Sequence, residues 1–93
     1  MRPRLDATQK AVVAALREIG CSVTSLAAVG GGCPDLLVGL AGRTVLLEVK
    51  SAKAVRHKPS ETTSAQDGWV ATWRGGLVAV VHDVDEALDA VER

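Results

Sequence analysis

The chain has 93 residues, 47% of them hydrophobic, and its eleven Lys and Arg are balanced by eleven Asp and Glu. That length suits a single domain spanning 1–93 and excludes a second, and a core this small gains from oligomerisation. Zero formal charge excludes a uniformly basic coat, and no apolar run approaches the ~20 residues of a membrane-spanning helix. The N-terminal MRPRLDATQK has no apolar stretch of the kind a secretory leader needs, which predicts a cytoplasmic protein. Cys21 and Cys33 make no metal-ligand spacing with His57 or His82 and read as reduced thiols rather than a disulfide.

In chain order, Asp6 and Gln9 form a capping-box-like start, and Val12, Val13, Leu16 and Ile19 recur at helical spacing until Gly20. Residues 21–29 carry Val23, Leu26 and Val29 among small and hydroxylated residues and predict a strand. Gly30, Gly31 and Gly32 follow. They serve either as a connector or as a place where a nucleic-acid backbone comes close.

The next two strands are predicted at 35–40 and 43–50, joined by a turn at Ala41-Gly42. A two- or four-residue loop pairs residues whose numbers sum to 83, so Leu36 faces Leu47, Val38 faces Val45 and Asp35 faces Glu48. Lys50 lies two positions beyond Glu48 and points to the same sheet face. Read singly, these charges fit a solvated edge strand. Read together, two facing carboxylates repel unless something compensates. A Mg²⁺ ion held by Asp35 and Glu48 would do so, with Lys50 placed to order a water or offset charge on a phosphate. Asp35, Glu48 and Lys50 are therefore the predicted catalytic residues.

After Lys50 the chain enters a polar loop. Residues 49–60 hold four Lys or Arg together with His57 and no acid. Lys53, Arg56 and Lys58 are the predicted contacts to substrate phosphates, favoured over the reading of a solvated surface loop. Thr63 and Gln66 form a second capping box, followed by Ala65, Trp69, Val70 and Trp73 on one helix face. The two Trp are the only aromatic residues and serve packing, a dimer contact or base stacking. Residues 77–81 form an apolar strand after Gly75-Gly76. Asp83 with Glu86 opens a last helix along Val84, Ala87, Leu88 and Val91, which has five acids and no base between 83 and 92. The predicted order is α-β-β-β-α-β-α, an α/β fold with a mixed central sheet.

Pro34-Asp35 followed by Glu48-Val49-Lys50 resembles the PD-(D/E)XK nuclease motif. The flanking GGGCPDLLVG, LLEVKS and TSAQDGWVATWRGG resemble the stand-alone VRR-NUC nucleases of phages and bacteria, relatives of Holliday junction resolvases. This resemblance covers nearly the whole chain. It implies a restriction-endonuclease-like core and a Mg²⁺-dependent DNA endonuclease, with Mn²⁺ as a substitute, acting on branched DNA such as junctions or flaps. It further implies the Val49 carbonyl as a third metal ligand, Gln66 as a residue that arranges the active site, and a homodimer. An acid on the first helix adds a ligand in many relatives; Asp6 and Gln9 stand there in this chain. Two alternatives share the fold: a non-catalytic nucleic-acid-binding module, and an enzyme directed by replication or recombination partners.

Overall fold

The computed structural model describes residues 7–50 and 62–93. It is an α/β protein with a four-stranded mixed sheet and three helices. Asp6, Lys53, Arg56 and Lys58, all given roles on sequence grounds, lie outside the described residues, as does His57. No described helix is long and apolar enough to cross a membrane.

Helix α1 (Ala7–Glu18) buries Val12 and Leu16, one turn apart, on the face turned to the sheet. It ends in a Schellman motif: Cys21 N–H donates to the Leu16 carbonyl and Gly20 N–H to that of Arg17, both at 3.0 Å. Ile19, predicted on the buried stripe, falls in this cap and is exposed. Strand β1 (Ser22–Ser25) is shorter than the predicted 21–29. Val29 N–H bonds the Leu26 carbonyl at 2.9 Å, so the chain already turns there, and Val29 is left exposed.

Strands β2 (Leu36–Leu40) and β3 (Arg43–Val49) form the expected hairpin, with Leu36 opposite Leu47, Val38 opposite Val45 and Leu40 opposite Arg43. Both loop residues have positive φ, 54° at Ala41 and 80° at Gly42. This two-residue primed turn matches the twist of the strands, and register follows from it. Glycine bears such a φ without cost, whereas alanine is strained. Ala41→Asn should therefore raise stability by about 1 kcal/mol, seen as a Tm gain of roughly 4–8 °C in thermal melting. An unchanged Tm would contradict the turn geometry.

Helix α2 (Ser64–Thr72) crosses from β3 to β4 (Val78–Val81), which pairs parallel to β3, and α3 (Val84–Glu92) closes the chain. Sheet order follows chain order, β1-β2-β3-β4. The period of two splits β3 cleanly. Val45, Leu47 and Val49 join Leu36, Val38 and Val81 in a core against Val12 and Leu16 of α1 and Ala87, Ala90 and Val91 of α3. Leu46, Glu48 and Lys50 face the other way.

Arg43, which carries no local signal of such a role, donates to the carbonyls of Val91 and Arg93 and so caps the end of α3. The predicted box at Asp83 is half formed. Asp83 Oδ1 accepts from Glu86 N–H at 2.8 Å, but the Glu86 carboxylate accepts from His82 N–H, one residue earlier than in the standard box.

Helix α2 departs from its expected role. Its capping box forms as predicted, yet it buries no residue, and it ends at Thr72, before the two glycines. Trp73 is the C-cap; its indole stacks on Trp69 with centroids 4.9 Å apart and donates to the Gly76 carbonyl. Val70 and Trp73 are exposed, and the two indoles pack on each other rather than in the core.

Candidate active site

The end of the hairpin away from the Ala41-Gly42 turn carries the clustered charges. The ladder stops at Leu36 opposite Leu47. Asp35 continues on the β1 side through its carbonyl, which accepts from Leu26 N–H at 2.8 Å. Its side chain turns to β3 instead, and Oδ2 accepts from Val49 N–H at 2.7 Å. The missing rung between the two strands is thus supplied by a carboxylate. In a strand the N–H and C=O of one residue point to the same neighbour, so the Val49 carbonyl lies on the Asp35 side as well.

Glu48 is the one buried charged residue among those described, 7% exposed. Its Oε2 receives Gln66 Nε2 at 2.9 Å and lies 3.4 Å from Lys50 Nζ. Asp35, Glu48, Lys50 and Gln66, four residues from three segments, are brought together on one sheet face. Gln66 is held from both ends of its amide. Oε1 accepts from Thr63 N–H at 3.0 Å as half of the capping box, which leaves Nε2 aimed at Glu48. A glutamate would cap α2 equally well but would turn a negative charge on Glu48. The chemistry therefore requires the amide.

The three glycines form a tight turn on the way from β1 to β2: Gly30, Gly31 and Gly32 all have positive φ. Cys33 N–H closes it on the Gly30 carbonyl at 3.2 Å. A Cβ on Gly32 would stand 2.2 Å from the Ala65 carbonyl oxygen and 2.9 Å from Gln66 N. The close approach at this turn is to the protein's own backbone, at the first turn of α2.

Burial pushes the Glu48 carboxyl above the ordinary carboxylate range; the neighbouring Asp35 charge pushes it the same way and Lys50 opposes them. The Cys33 thiol is likewise raised, by burial first and then by the charges of Glu48 and Asp35. Cys33 stands two residues before Asp35. Both cysteines are free, in line with the reduced reading.

The donor set fits a hard cation. Besides the bonds above, the Asp35 and Glu48 carboxyls contact one another. With the Val49 carbonyl they offer only oxygen ligands, as Mg²⁺ prefers. No cluster of three or more His, Cys, Asp or Glu side chains suited to a metal occurs among the described residues. A cation here would draw its remaining ligands from water or substrate phosphate, the usual habit of Mg²⁺. A groove of about 500 Å³ beside β4 and α3 is a poorer place for phosphate, because Asp85, Glu86 and Asp89 outweigh Arg93 and His82 along its lining.

Set against known protein families, curated sequences and solved structures, the chain matches none.

Proposed function

We propose that the protein is a Mg²⁺-dependent DNA endonuclease of the PD-(D/E)XK type, similar to the stand-alone VRR-NUC nucleases and built on their restriction-endonuclease-like core. The observation that carries this reading is the convergence of Asp35, Glu48, Lys50 and Gln66 on one face at the open end of a hairpin. Two carboxylates this close, one of them buried, gain from a divalent cation what no described side chain beyond Lys50 supplies.

Asp35, Glu48 and the Val49 carbonyl would hold the ion. When bound, Mg²⁺ polarises a phosphate oxygen and lowers the pKa of a coordinated water. The chain supplies the rest. Val49 N–H fixes Asp35, and the Gln66 amide fixes one oxygen of Glu48, so both carboxylates are held in place by the surrounding backbone and amide. Lys50 carries a positive charge beside Glu48, where it orients the attacking water and stabilises negative charge gathering on the phosphate.

Branched DNA as substrate and a homodimer as the working form follow from the resemblance. A two-fold axis would set two such sites for paired cuts in a symmetric junction. Lys53, Arg56 and Lys58 follow Lys50 closely in sequence and are assigned to the DNA backbone.

The test is cleavage of labelled single strand, duplex, flap, fork and four-way junction in Mg²⁺, Mn²⁺ or EDTA. We expect one branched form to be cut with either metal, not with EDTA, and not by Asp35→Ala. Cutting that survives Asp35→Ala would reject this site. Tight binding without cutting under any metal would favour the binding-module reading.

A further inference from the structure

We infer that Gly32 is a positioning residue: its missing side chain lets the first turn of α2 lie on the glycine turn, and this sets Gln66 against Glu48. The catalytic consequence rests on the nuclease reading above; the placement itself does not.

Helix α2 buries none of its residues, so the hydrophobic core does not fix its height above the sheet. Among the described residues, the contacts that hold its first turn are local. The Gly32 Cα sits against the Ala65 carbonyl, and one residue later Gln66 donates to Glu48 at 2.9 Å. The atoms that a Gly32 Cβ would meet are the carbonyl oxygen, the carbonyl carbon and the next amide nitrogen, at 2.2, 2.5 and 2.9 Å. All are backbone, and no rotamer change moves them aside. Reaching ordinary contact would lift the turn by on the order of 1 Å, enough to carry a 2.9 Å hydrogen bond out of range. Thr63 would still cap the helix, since that bond lies within α2 and its own N-cap. The predicted defect is thus a well-formed helix with Gln66 in the wrong place.

Gly31 provides the control. It too has positive φ, 65° against 87° at Gly32, but a Cβ there meets nothing within 4 Å. Alanine at either position brings backbone strain, and only Gly32→Ala brings the collision.

The experiment compares wild type, Gly31→Ala and Gly32→Ala without metal, following the Gln66 side-chain amide by ¹⁵N–¹H NMR. Melting curves establish that each protein is folded. Gly32→Ala should move the Gln66 amide signals to the position of a free glutamine, and Gly31→Ala should leave them in place. Emission from Trp69 and Trp73, the only aromatic residues, should shift in the first variant alone. In cleavage, kcat should fall by on the order of a hundredfold in Gly32→Ala with KM changed by less than about twofold. Adding Gln66→Ala should cost nothing more. A folded Gly32→Ala with unmoved Gln66 signals, or equal movement in Gly31→Ala, would overturn the inference. Should Gly32→Ala fail to fold, the wild-type nuclear Overhauser contact between Gly32 Hα and the Gln66 amide proton decides, and its absence overturns the inference. If wild type cuts no DNA while the signals behave as stated, the nuclease reading fails and the placement of Gln66 by Gly32 holds.

Discussion

Glu48→Gln should abolish cleavage and, in the same protein, raise stability. The activity arm follows from the loss of one of two anionic ligands. The electrostatic contribution of a metal to the transition state is several kcal/mol. At 1.36 kcal/mol per tenfold, losing about 4 kcal/mol lowers the rate on the order of a thousandfold. The stability arm comes from the carboxylate's surroundings. Burial and the Asp35 charge together outweigh Lys50, so the folded protein holds a proton on Glu48 more tightly than the unfolded chain does. Stability from this group is then fully present below the unfolded carboxyl pKa and is lost as pH rises through the raised folded value. Above that raised value the ionised Glu48 is a net burden without metal. An amide of the same shape lifts it, and each 1 kcal/mol regained moves Tm by about 4–8 °C in a domain of this size. Melting from acid to neutral pH should show wild type losing stability over a range in which Glu48→Gln does not. A variant that melts lower than wild type above that range would show that the Lys50 and Gln66 contacts outweigh the burial of the charge.

Lys50→Met separates the metal from the chemistry. The methylene stem is kept and the ammonium 3.4 Å from Glu48 is removed. Losing one preorganised positive group at the reacting phosphate costs about 10²–10³ in kcat. Affinity for Mn²⁺ should stay the same or rise, because a competing cation has left the carboxylates. Glu48→Gln loses both metal affinity and rate, whereas Lys50→Met loses rate alone. Calorimetric titration beside single-turnover cleavage reads the difference. Loss of metal affinity in Lys50→Met would mean that the lysine builds the site rather than acting in it.

The parts of this arrangement legible in the sequence are those decided by short-range rules. Ala41-Gly42 between two apolar runs limited the loop to two or four residues, and either length set the same register. The register then placed Asp35 near Glu48 with Lys50 beside it. Even there the detail differs: Asp35 does not form the last rung opposite Glu48 but bonds Val49 N–H through its side chain. The capping box at Thr63 was also local and legible.

What escaped depends on contacts distant in sequence. Leu26 and Val29 have strand composition, yet the chain must turn to reach β2, and apolar character alone does not reveal that. Trp69 and Trp73 look like core residues by type, but they stack on each other at the surface. The role of Gly32 needs α2 in place before any crowding exists. Arg43 reads as an exposed strand residue until α3 brings its last carbonyls within reach. Gln66 came from the resemblance, and its geometry explains why an amide stands there: one end caps the helix and the other holds Glu48.

The central claim is that a divalent cation sits between Asp35 and Glu48, and paramagnetic broadening by Mn²⁺ tests it most directly. In ¹⁵N–¹H spectra of wild type, Mn²⁺ at substoichiometric levels should broaden the amides of Asp35, Glu48, Val49 and Lys50 first. Mg²⁺ in excess should restore them, and Glu48→Gln should show no such effect. Broadening centred instead on Asp85, Glu86 and Asp89 of α3, or unchanged in Glu48→Gln, would contradict the claim.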